Sequence, residues 1–506
     1  MPVARTLAVA LHGVDGALVE IEADLANGLP AFTIIGLPDA ALGEAKDRVR
    51  SAAVNSGCDL PARKVTVNLS PASLPKHGSG FDLGIAVAAL ATTGFVSIAA
   101  IDGVVHLGEL SLDGRLRPVA GVLPAVLAAR RAGARAVVVP SGNGDEARLV
   151  PGIRVIAAAS LRDVLIGHGA ALEPVPVEAL AAPAFEGAAI ESGDLADVIG
   201  HPEAIEALQV AAAGGHHMLM LGPPGAGKTL LASRLPGLLP DLEPDAAVEV
   251  SSIRSLAGLP LGSSLVTRPP LESPHHSATM AALVGGGSGL VRPGAISRAA
   301  HGVLFLDEAP EFASAVLDAL RQPLETGEIT IHRARATARF PARFQLVLAA
   351  NPCPCGQGGD DDCTCTPVMR RRYLGRLSGP LLDRIDLHLT VRRVSVAHMT
   401  EGGAGAVTTA MARERVSAAR ERARERWGRQ GWSLTAHVPG PVLRSAPWRL
   451  AASDRGVLDR ALERGALTMR GYDRVLRVAW TLADLDGADQ PTGDHVGRAL
   501  FLRKGI

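Results

Sequence analysis

The spacing of apolar residues along this chain changes several times, and each change predicts an element. Residues 18–23, 65–69 and 136–140 read as strands, while 40–55, 83–91 and 123–132 carry apolar residues at helical spacing. Together they predict an α/β domain over residues 1–170. Residues 171–193 mix Pro, Ala and scattered acids without an apolar period and read as a linker. A helical run at 204–213 then leads into the apolar strand 218–221. Residues 302–306 form a short, wholly apolar run of the kind found in parallel strands buried on both faces, and 344–350 is a further β-rich run. Residues 328–340 read as a β-hairpin studded with arginines, and the Gly-rich stretch 283–289 as a loop too flexible to pack. Beyond a Gly-rich break at 402–405, residues 411–430 and 466–485 are helical. The first of these, with seven arginines and three glutamates, is expected to be a solvated helix whose local positive excess could help hold DNA. An α/β core over 194–396 and a helical domain over 397–506 follow.

Composition narrows the partners. The 506 residues suffice for about three domains. Lys plus Arg (51) balance Asp plus Glu (51), so no global field draws the chain onto nucleic acid or an anionic membrane, and a basic surface must be local. Aromatics at 3% argue against binding by bases stacked on exposed rings. The uncharged stretch 83–101 reaches the ~18-residue length of a spanning helix, but Thr92, Thr93, Gly94 and Ser97 dilute it, and it reads as a buried helix followed by a turn. Residues 1–15 lack a basic start followed by a sustained apolar core, so a cytoplasmic protein with no membrane partner is expected.

The strongest chemical signal is Gly222, Pro223, Pro224, Gly225, Ala226, Gly227, Lys228 and Thr229, the pattern G-x-x-x-x-G-K-[ST] between an apolar strand and a helix. Glycines let backbone N–H groups curl around phosphate oxygens, and the helix N-terminus adds its positive end. Lys228 reaches the β- and γ-phosphates of ATP, and Thr229 ligates Mg²⁺. The apolar run 302–306 ends in Asp307 and Glu308. A carboxylate at that strand end can hold the Mg²⁺ shell, and its neighbour can orient or deprotonate the attacking water. Either signal alone is weaker than the two about 80 residues apart.

The segments Ile35-Gly36-Leu37-Pro38-Asp39-Ala40, Val67-Asn68-Leu69-Ser70-Pro71-Ala72 and Gly78-Ser79-Gly80-Phe81-Asp82-Leu83 resemble the N-terminal domain of the YifB/ComM family of magnesium-chelatase-like AAA+ ATPases. The resemblance runs nearly the whole chain. It implies a Lon-protease-like (ribosomal S5-type) α/β domain, a P-loop AAA+ core and a C-terminal helical lid. A Lon-type peptidase needs a Ser activated by a Lys, yet laid on that pattern the two positions hold Asp82 and Leu123. Ser79 and Lys76, three residues apart in a Gly-rich loop, read as turn residues, so no active peptidase is expected.

The same resemblance implies Val198 and Ile199 over the adenine, Asn351 as the sensor of the γ-phosphate and Arg384 as the finger that a neighbouring subunit inserts. It makes Arg470 the lid arginine, with Arg474 as runner-up. Each has a plain alternative: core residues, a turn cap, a helix-end ion pair, a surface arginine. In the chelatase branch a hairpin such as 328–340 points into the ring's pore, where Arg333 and Arg335 would contact DNA phosphates without sequence preference. A solvated hairpin is the alternative. His275 and His276, adjacent and without a paired acid, read as structural or substrate-facing.

Cys353, Cys355, Cys363 and Cys365 form two C-x-C pairs around a Gly- and Asp-rich loop, and Cys58 stands alone. Four thiolates so close can make a tetrahedral structural Zn²⁺ site, with unmetallated thiols as the alternative. Asp360, Asp361 and Asp362 read as loop solvation. The family resemblance implies an ATP-driven ring, a hexamer, acting on single-stranded or branched DNA as a branch-migration helicase in recombination or natural transformation. The rival is a chelatase-type motor that remodels a protein partner.

Overall fold

The computed structural model describes residues 3–36, 40–180, 193–287, 291–332, 337–356, 363–394 and 406–503. Its first sheet has seven strands in the spatial order Ala31–Ile35, Lys64–Ser70, Asp15–Ala26, Ala4–His12, Val104–His106, Ala136–Pro140 and Arg154–Ala158. The long strand Asp15–Ala26 runs antiparallel to both neighbours, while the last four strands of the row are mutually parallel. One side chain in two is buried along the second half of Asp15–Ala26, the alternation expected of a strand with one face on a core. The helix Asp82–Ala91 is buried on every side. Gly84 lets it sit down on the sheet, because a Cβ there would lie 2.6 Å from Ile21 Cδ1. The uncharged stretch is thus a core helix, and no described helix is long and apolar enough to cross a membrane. The run expected as one helix over 40–55 is two, Ala40–Gly43 and Ala45–Asn55, parted at Gly43-Glu44, where glycine's backbone entropy disfavours continuation.

The second sheet is wholly parallel, in the order Leu271–Glu272, Val303–Leu306, Gln345–Ala350, Met218–Leu221 and Leu387–Thr390. Val303–Leu306 and Gln345–Ala350 are buried at every position, which is why the sequence shows no alternation there. The helices Pro202–Gly214 and Lys228–Leu238 share one apolar core with the C-terminal helices Thr409–Trp427, Ala452–Glu463, Met469–Asp486 and Gly493–Phe501. At its centre Trp427, Trp448 and Trp480 meet with ring centroids 4.6 to 5.9 Å apart.

Two expectations fail here. Thr409–Trp427 is no solvated helix: Arg426 pairs with buried Asp484 and lies over the Trp480 ring, Arg420 donates to Ala212 O, and Arg415 and Arg422 bond to the end of Met469–Asp486. Arginine's long apolar stem and five donors let it enter a packed interface where the sequence shows only charge. Nor is the described part of the Gly-rich stretch, residues 283–287, too flexible to pack. Leu283 is fully buried at the end of the Thr279-capped helix Met280–Val284, and Gly285–Gly286 pairs with Arg292–Pro293.

The hairpin Glu328–His332 with Thr337–Pro341 docks on the first sheet's domain. Arg339 bridges to Gly13, where a Cβ would strike the Arg339 carbonyl at 1.9 Å, and Phe340 is buried among Leu256, Leu11 and Val14. Arg333 and Arg335, between the two strands in sequence, lie outside the described residues, as do Asp360, Asp361 and Asp362.

Candidate active site

Strand direction sorts the candidate residues into two groups. All five strands of the second sheet point the same way, and at their C-terminal edge the chain delivers the Gly222–Thr229 loop, Asp307 with Glu308, and Asn351. Ligand crevices of open α/β sheets form at this edge. The loop is shaped by Gly225 (φ +75°) and Gly227 (φ +89°), both in the left-handed region that favours glycine. Gly222 is fixed by proximity, since a Cβ on it would meet the Val391 carbonyl at 2.1 Å.

Lys228 lies over this loop rather than in solvent. Its Nζ donates to Gly222 O (2.7 Å), Pro223 O (3.0 Å) and Asn351 Oδ1 (3.0 Å). Burial lowers its pKa, and the nearby Asp307 and Glu308 carboxylates oppose that shift and favour the ammonium. Thr229 Oγ1 donates to Asp307 Oδ2 at 2.7 Å. Adjacent oxygens on an octahedral Mg²⁺ stand about 2.9 Å apart, given ~2.05 Å bonds. A hydroxyl and a carboxylate already at that separation therefore fit the ion.

Glu308 adopts φ 51°, ψ 42°, an unusual backbone for a non-glycine residue, held by Glu308 N–H on Asp307 Oδ1 (2.9 Å) and Glu311 N–H on Glu308 O (2.7 Å). Contrary to the expectation of an unpaired histidine couple, His276 Nδ1 lies 3.1 Å from Glu308 Oε2. The two segments are 32 residues apart in sequence, and only the parallel pairing of Leu271–Glu272 with Val303–Leu306 brings them to one edge.

Val198 is buried and packs in the same core as Ala226, whereas Ile199 is 39% exposed. Arg234, on the helix that follows the loop, fastens their segment through Asp194 O and Asp197. Neither Asp194 nor Arg234 was singled out from sequence.

Arg384 and Arg470 fall at the other edge. Arg384 precedes Leu387–Thr390, whose first residue is level with Met218, the start of the strand that ends at the phosphate loop. Arg384 pairs with Glu325, and its Nε has no partner among the described residues. Burial, together with Arg470, Arg474 and Arg321 nearby, lowers its pKa. Arg470 is 76% exposed and reaches Asp383 at 3.3 Å. Both line a cavity of about 960 Å³ with Arg343, Arg424 and Trp432.

Arg474, the runner-up, is a tether instead. It pairs with Asp386, 3% exposed, and donates to Arg384 O (3.1 Å), while Asp386 also meets His216 Nδ1 (3.1 Å), whose Nε2 contacts Thr481 Oγ1 (2.8 Å). Arg474 and His216 hold the Asp386 carboxyl well below its usual range against the cost of burial. Helix Met469–Asp486 is thereby locked to the segment that carries Arg384.

The four cysteines of the cluster gather. Their Sγ atoms all lie within 4.8 Å of one another, with Cys353 to Cys363 and Cys355 to Cys363 both 3.7 Å and Cys353 to Cys355 closer, at 3.2 Å. A tetrahedral Zn²⁺ with ~2.3 Å bonds sets its sulfurs about 3.8 Å apart, so the set fits that ion. The cluster leans on the phosphate loop, as a Cβ on Gly356 would come 2.7 Å from Pro224 Cγ.

In the first domain, Asp82 is buried in a two-bond pair with Arg48 (2.6 and 3.0 Å) and accepts from Leu110 N–H. Lys76, expected as a turn residue, does not face solvent. It is fully buried, and its ammonium donates to the carbonyls of Gly36, Leu69 and Pro71, while Ser79 bonds to Glu109.

A wholly parallel sheet with the phosphate loop on an inner strand, an acidic pair one strand beyond its neighbour and a helical C-terminal domain defines a magnesium-chelatase-type AAA+ core. Residues 194–399 match the family described as magnesium chelatase, subunit ChlI, residues 21–143 match subunit ChlI of Mg-chelatase, and 406–503 match the subunit's C-terminal family. An uncharacterized protein of Mycobacterium tuberculosis is 49% identical over 514 residues, covering 100% of this chain and 99% of its own. Competence protein ComM of Haemophilus influenzae is 43% identical (99% and 98% covered), and YifB of Escherichia coli 41% (97% and 95%). The chain belongs to the YifB/ComM family of magnesium-chelatase-like AAA+ proteins. A shorter likeness, 27% identity over 200 residues, covers 37% of this chain and 23% of the Lon protease of Azorhizobium caulinodans.

Proposed function

We propose that this chain is a ring-forming ATPase, a hexamer working in the cytoplasm, that hydrolyses ATP to translocate on single-stranded or branched DNA. Its task is branch migration in recombination or natural transformation. The observation that carries the reading is the division of the candidate groups between the two edges of one sheet. Lys228, Thr229, Asp307, Glu308 and Asn351 converge at the C-terminal edge, whereas Arg384 and Arg470 face a cavity at the other. A second subunit brings the two halves together.

At the joint site Gly222–Thr229 wraps the phosphates, Lys228 leaves its two carbonyls for the β- and γ-phosphates, and Asn351 holds the γ-phosphate. Thr229 and Asp307 hold Mg²⁺, which supplies charge neutralisation at the phosphates. Glu308 takes the proton of the attacking water, and Arg384 of the next subunit, with Arg470, meets the charge on the transferring group. Val198 packs and Ile199 faces the adenine. Cys353, Cys355, Cys363 and Cys365 hold a structural Zn²⁺. The DNA assignment leans on the competence role in the name of the 43%-identical relative and on Arg333 and Arg335, between the hairpin strands in sequence. The first domain does not cleave peptides, since Asp82 is bound to Arg48 and Leu123 is an apolar core residue. The divisions 1–170, 171–193, 194–396 and 397–506 are the proposed working units.

The second reading, a chelatase-type motor remodelling a protein partner, is favoured by the balanced charge and by a hairpin whose strands are docked on the first domain. The test is ATP turnover with and without forked DNA, alongside strand displacement, for the wild type, Arg333→Ala/Arg335→Ala and Lys228→Ala. Hydrolysis indifferent to DNA with no displacement refutes the helicase reading. Turnover by Lys228→Ala refutes the site.

A further inference from the structure

The cavity that Arg384 and Arg470 face carries more positive than negative charge, since seven arginines and five acids line it. Four of the arginines pair with acids of their own chain: Arg384 with Glu325, Arg470 with Asp383, Arg474 with Asp386 and Arg424 with Glu243. Two more donate to carbonyl oxygens, Arg420 to Ala212 and Arg477 to Val438. The fifth acid, Asp241, serves Arg268 and Arg413 outside the lining. The exposed guanidinium of Arg343 has no acceptor among the described residues.

Arg343 is nevertheless held in place. It stands just before the strand Gln345–Ala350, at the end away from Asn351. Its carbonyl accepts from His301 N–H (2.6 Å), and His301 Nε2 lies 2.7 Å from Glu249 Oε1. His301 adopts φ 58°, a conformation that a non-glycine residue keeps only where its surroundings hold it. The Arg343 stem lies across Gly327, the left-handed residue (φ +71°) that ends the helix Arg321–Thr326, and a Cβ there would come 2.9 Å from Arg343 Cγ. A fixed guanidinium without a counter-charge, in a cationic cavity, is suited to phosphate oxygens. The loop of its own chain cannot supply them, because a six-residue strand, about 20 Å at ~3.3 Å per residue, lies between Arg343 and Asn351.

We propose that Arg343 is a further nucleotide-binding residue supplied in trans, holding phosphate oxygens of the triphosphate bound by the next subunit. The inference rests on the reading that Arg384 and Arg470 serve a second subunit. Those two must each exchange an acid of their own chain for the phosphates, whereas Arg343 gives up only water. It holds the nucleotide equally before and during phosphoryl transfer, so its loss is felt in KM rather than in kcat.

The test measures steady-state phosphate release by the full chain with MgATP and no DNA. Arg343→Gln, which keeps a stem over Gly327 and removes the charge, should raise KM for ATP about ten-fold, the worth of one charged hydrogen bond, with kcat within about two-fold. Arg343→Lys should recover most of the affinity. At ATP well below KM, Arg343→Gln reassembled in equal parts with Lys228→Ala should exceed the sum of the separate rates about five-fold, because about a quarter of random interfaces then join an intact loop to an intact Arg343. A residue that only shapes its own subunit gives no such gain. An unchanged KM in Arg343→Gln, or a mixture no better than its parts while Arg384→Ala with Lys228→Ala recovers, overturns the assignment of Arg343 alone. No recovery in either mixture overturns the shared site and this inference with it.

Discussion

If Arg384 serves a neighbour's nucleotide, two inactive variants should rescue each other. Arg384 and the phosphate loop belong to opposite edges of one sheet. The strand pair Met218–Leu221 and Leu387–Thr390 separates them by four paired residues, about 13 Å at ~3.3 Å per residue. Arg384 is moreover anchored on its own side by Glu325 and by Arg474 beneath its carbonyl. It cannot turn to the loop of its own chain without dissolving that edge. An arginine supplied in trans contributes about 10³- to 10⁵-fold to phosphoryl transfer, so Arg384→Ala alone should fall at least ~10³-fold in kcat with ATP affinity nearly kept. Lys228→Ala alone loses the phosphate contact.

Mixed in equal parts and allowed to reassemble, the two variants create interfaces in which an intact loop from the Arg384→Ala chain faces an intact Arg384 from the Lys228→Ala chain. For random assembly about a quarter of all interfaces qualify, so phosphate release should return to about a quarter of the wild-type rate per subunit, less if the ring fires only when complete. The readout is steady-state phosphate release against mixing ratio, which should peak at equal parts. A mixture no better than the sum of its parts, or an Arg384→Ala chain that is fully active alone, refutes the shared site.

Three further outcomes follow from particular contacts. Asp386→Asn strips the largely shielded Arg474, 15% exposed, of its counter-charge, which should cost about 3 kcal/mol, seen as a lowered urea midpoint; a change under ~1 kcal/mol refutes the tether. Acid should weaken the fold well above the carboxylate range: burial takes His106 down to about 3 and His217 to about 4 from 6.5, so below pH 6.5 the unfolded chain binds protons that the folded chain refuses. Stability then falls by about 2 kcal/mol per histidine between pH 7 and pH 5, measured as urea midpoints against pH, and a flat profile from pH 7 to 5.5 contradicts it. Asp82 and Asp484, pushed up by burial, act in the opposite sense as they titrate. Finally, purified protein should carry about one Zn²⁺ per chain by elemental analysis, lost in Cys353→Ser/Cys363→Ser together with part of the ATP affinity, since the cluster leans on Pro224; full metal content in that variant refutes the four-thiolate site.

What was legible in the chain and what was not divides along sequence separation. The phosphate loop, Asp307 and Asn351 each sit at the end of a buried strand, and a strand's end can be read from where the apolar run stops. Their convergence needed only the rule that parallel strands share one functional edge. The misreadings and omissions concern side chains whose partners lie far along the chain. His216 meets Asp386 from 170 residues away and Thr481 from 265 away. Arg426, read as solvated, finds Asp484 58 residues later. His276 looked unpaired because its acid lies on another strand. Periodicity reports which face of an element is apolar. It is silent about a polar group that is buried because a distant charge meets it.

Those distant pairs also give the helical domain a mechanical sense. Thr409–Trp427 and Met469–Asp486 share one core with Lys228–Leu238, the helix that begins at Lys228 and would feel a bound triphosphate first. The same Met469–Asp486 helix is bonded through Arg474 to Asp386 and to the carbonyl of Arg384 at the far edge of the sheet. Close-packed interiors transmit strain rather than absorb it. Displacement of the loop helix therefore loads one end of a rigid body whose other end holds Arg384, the arginine proposed to serve a second subunit. Asp386, buried and bonded to both Arg474 and His216, is the joint through which that connection passes.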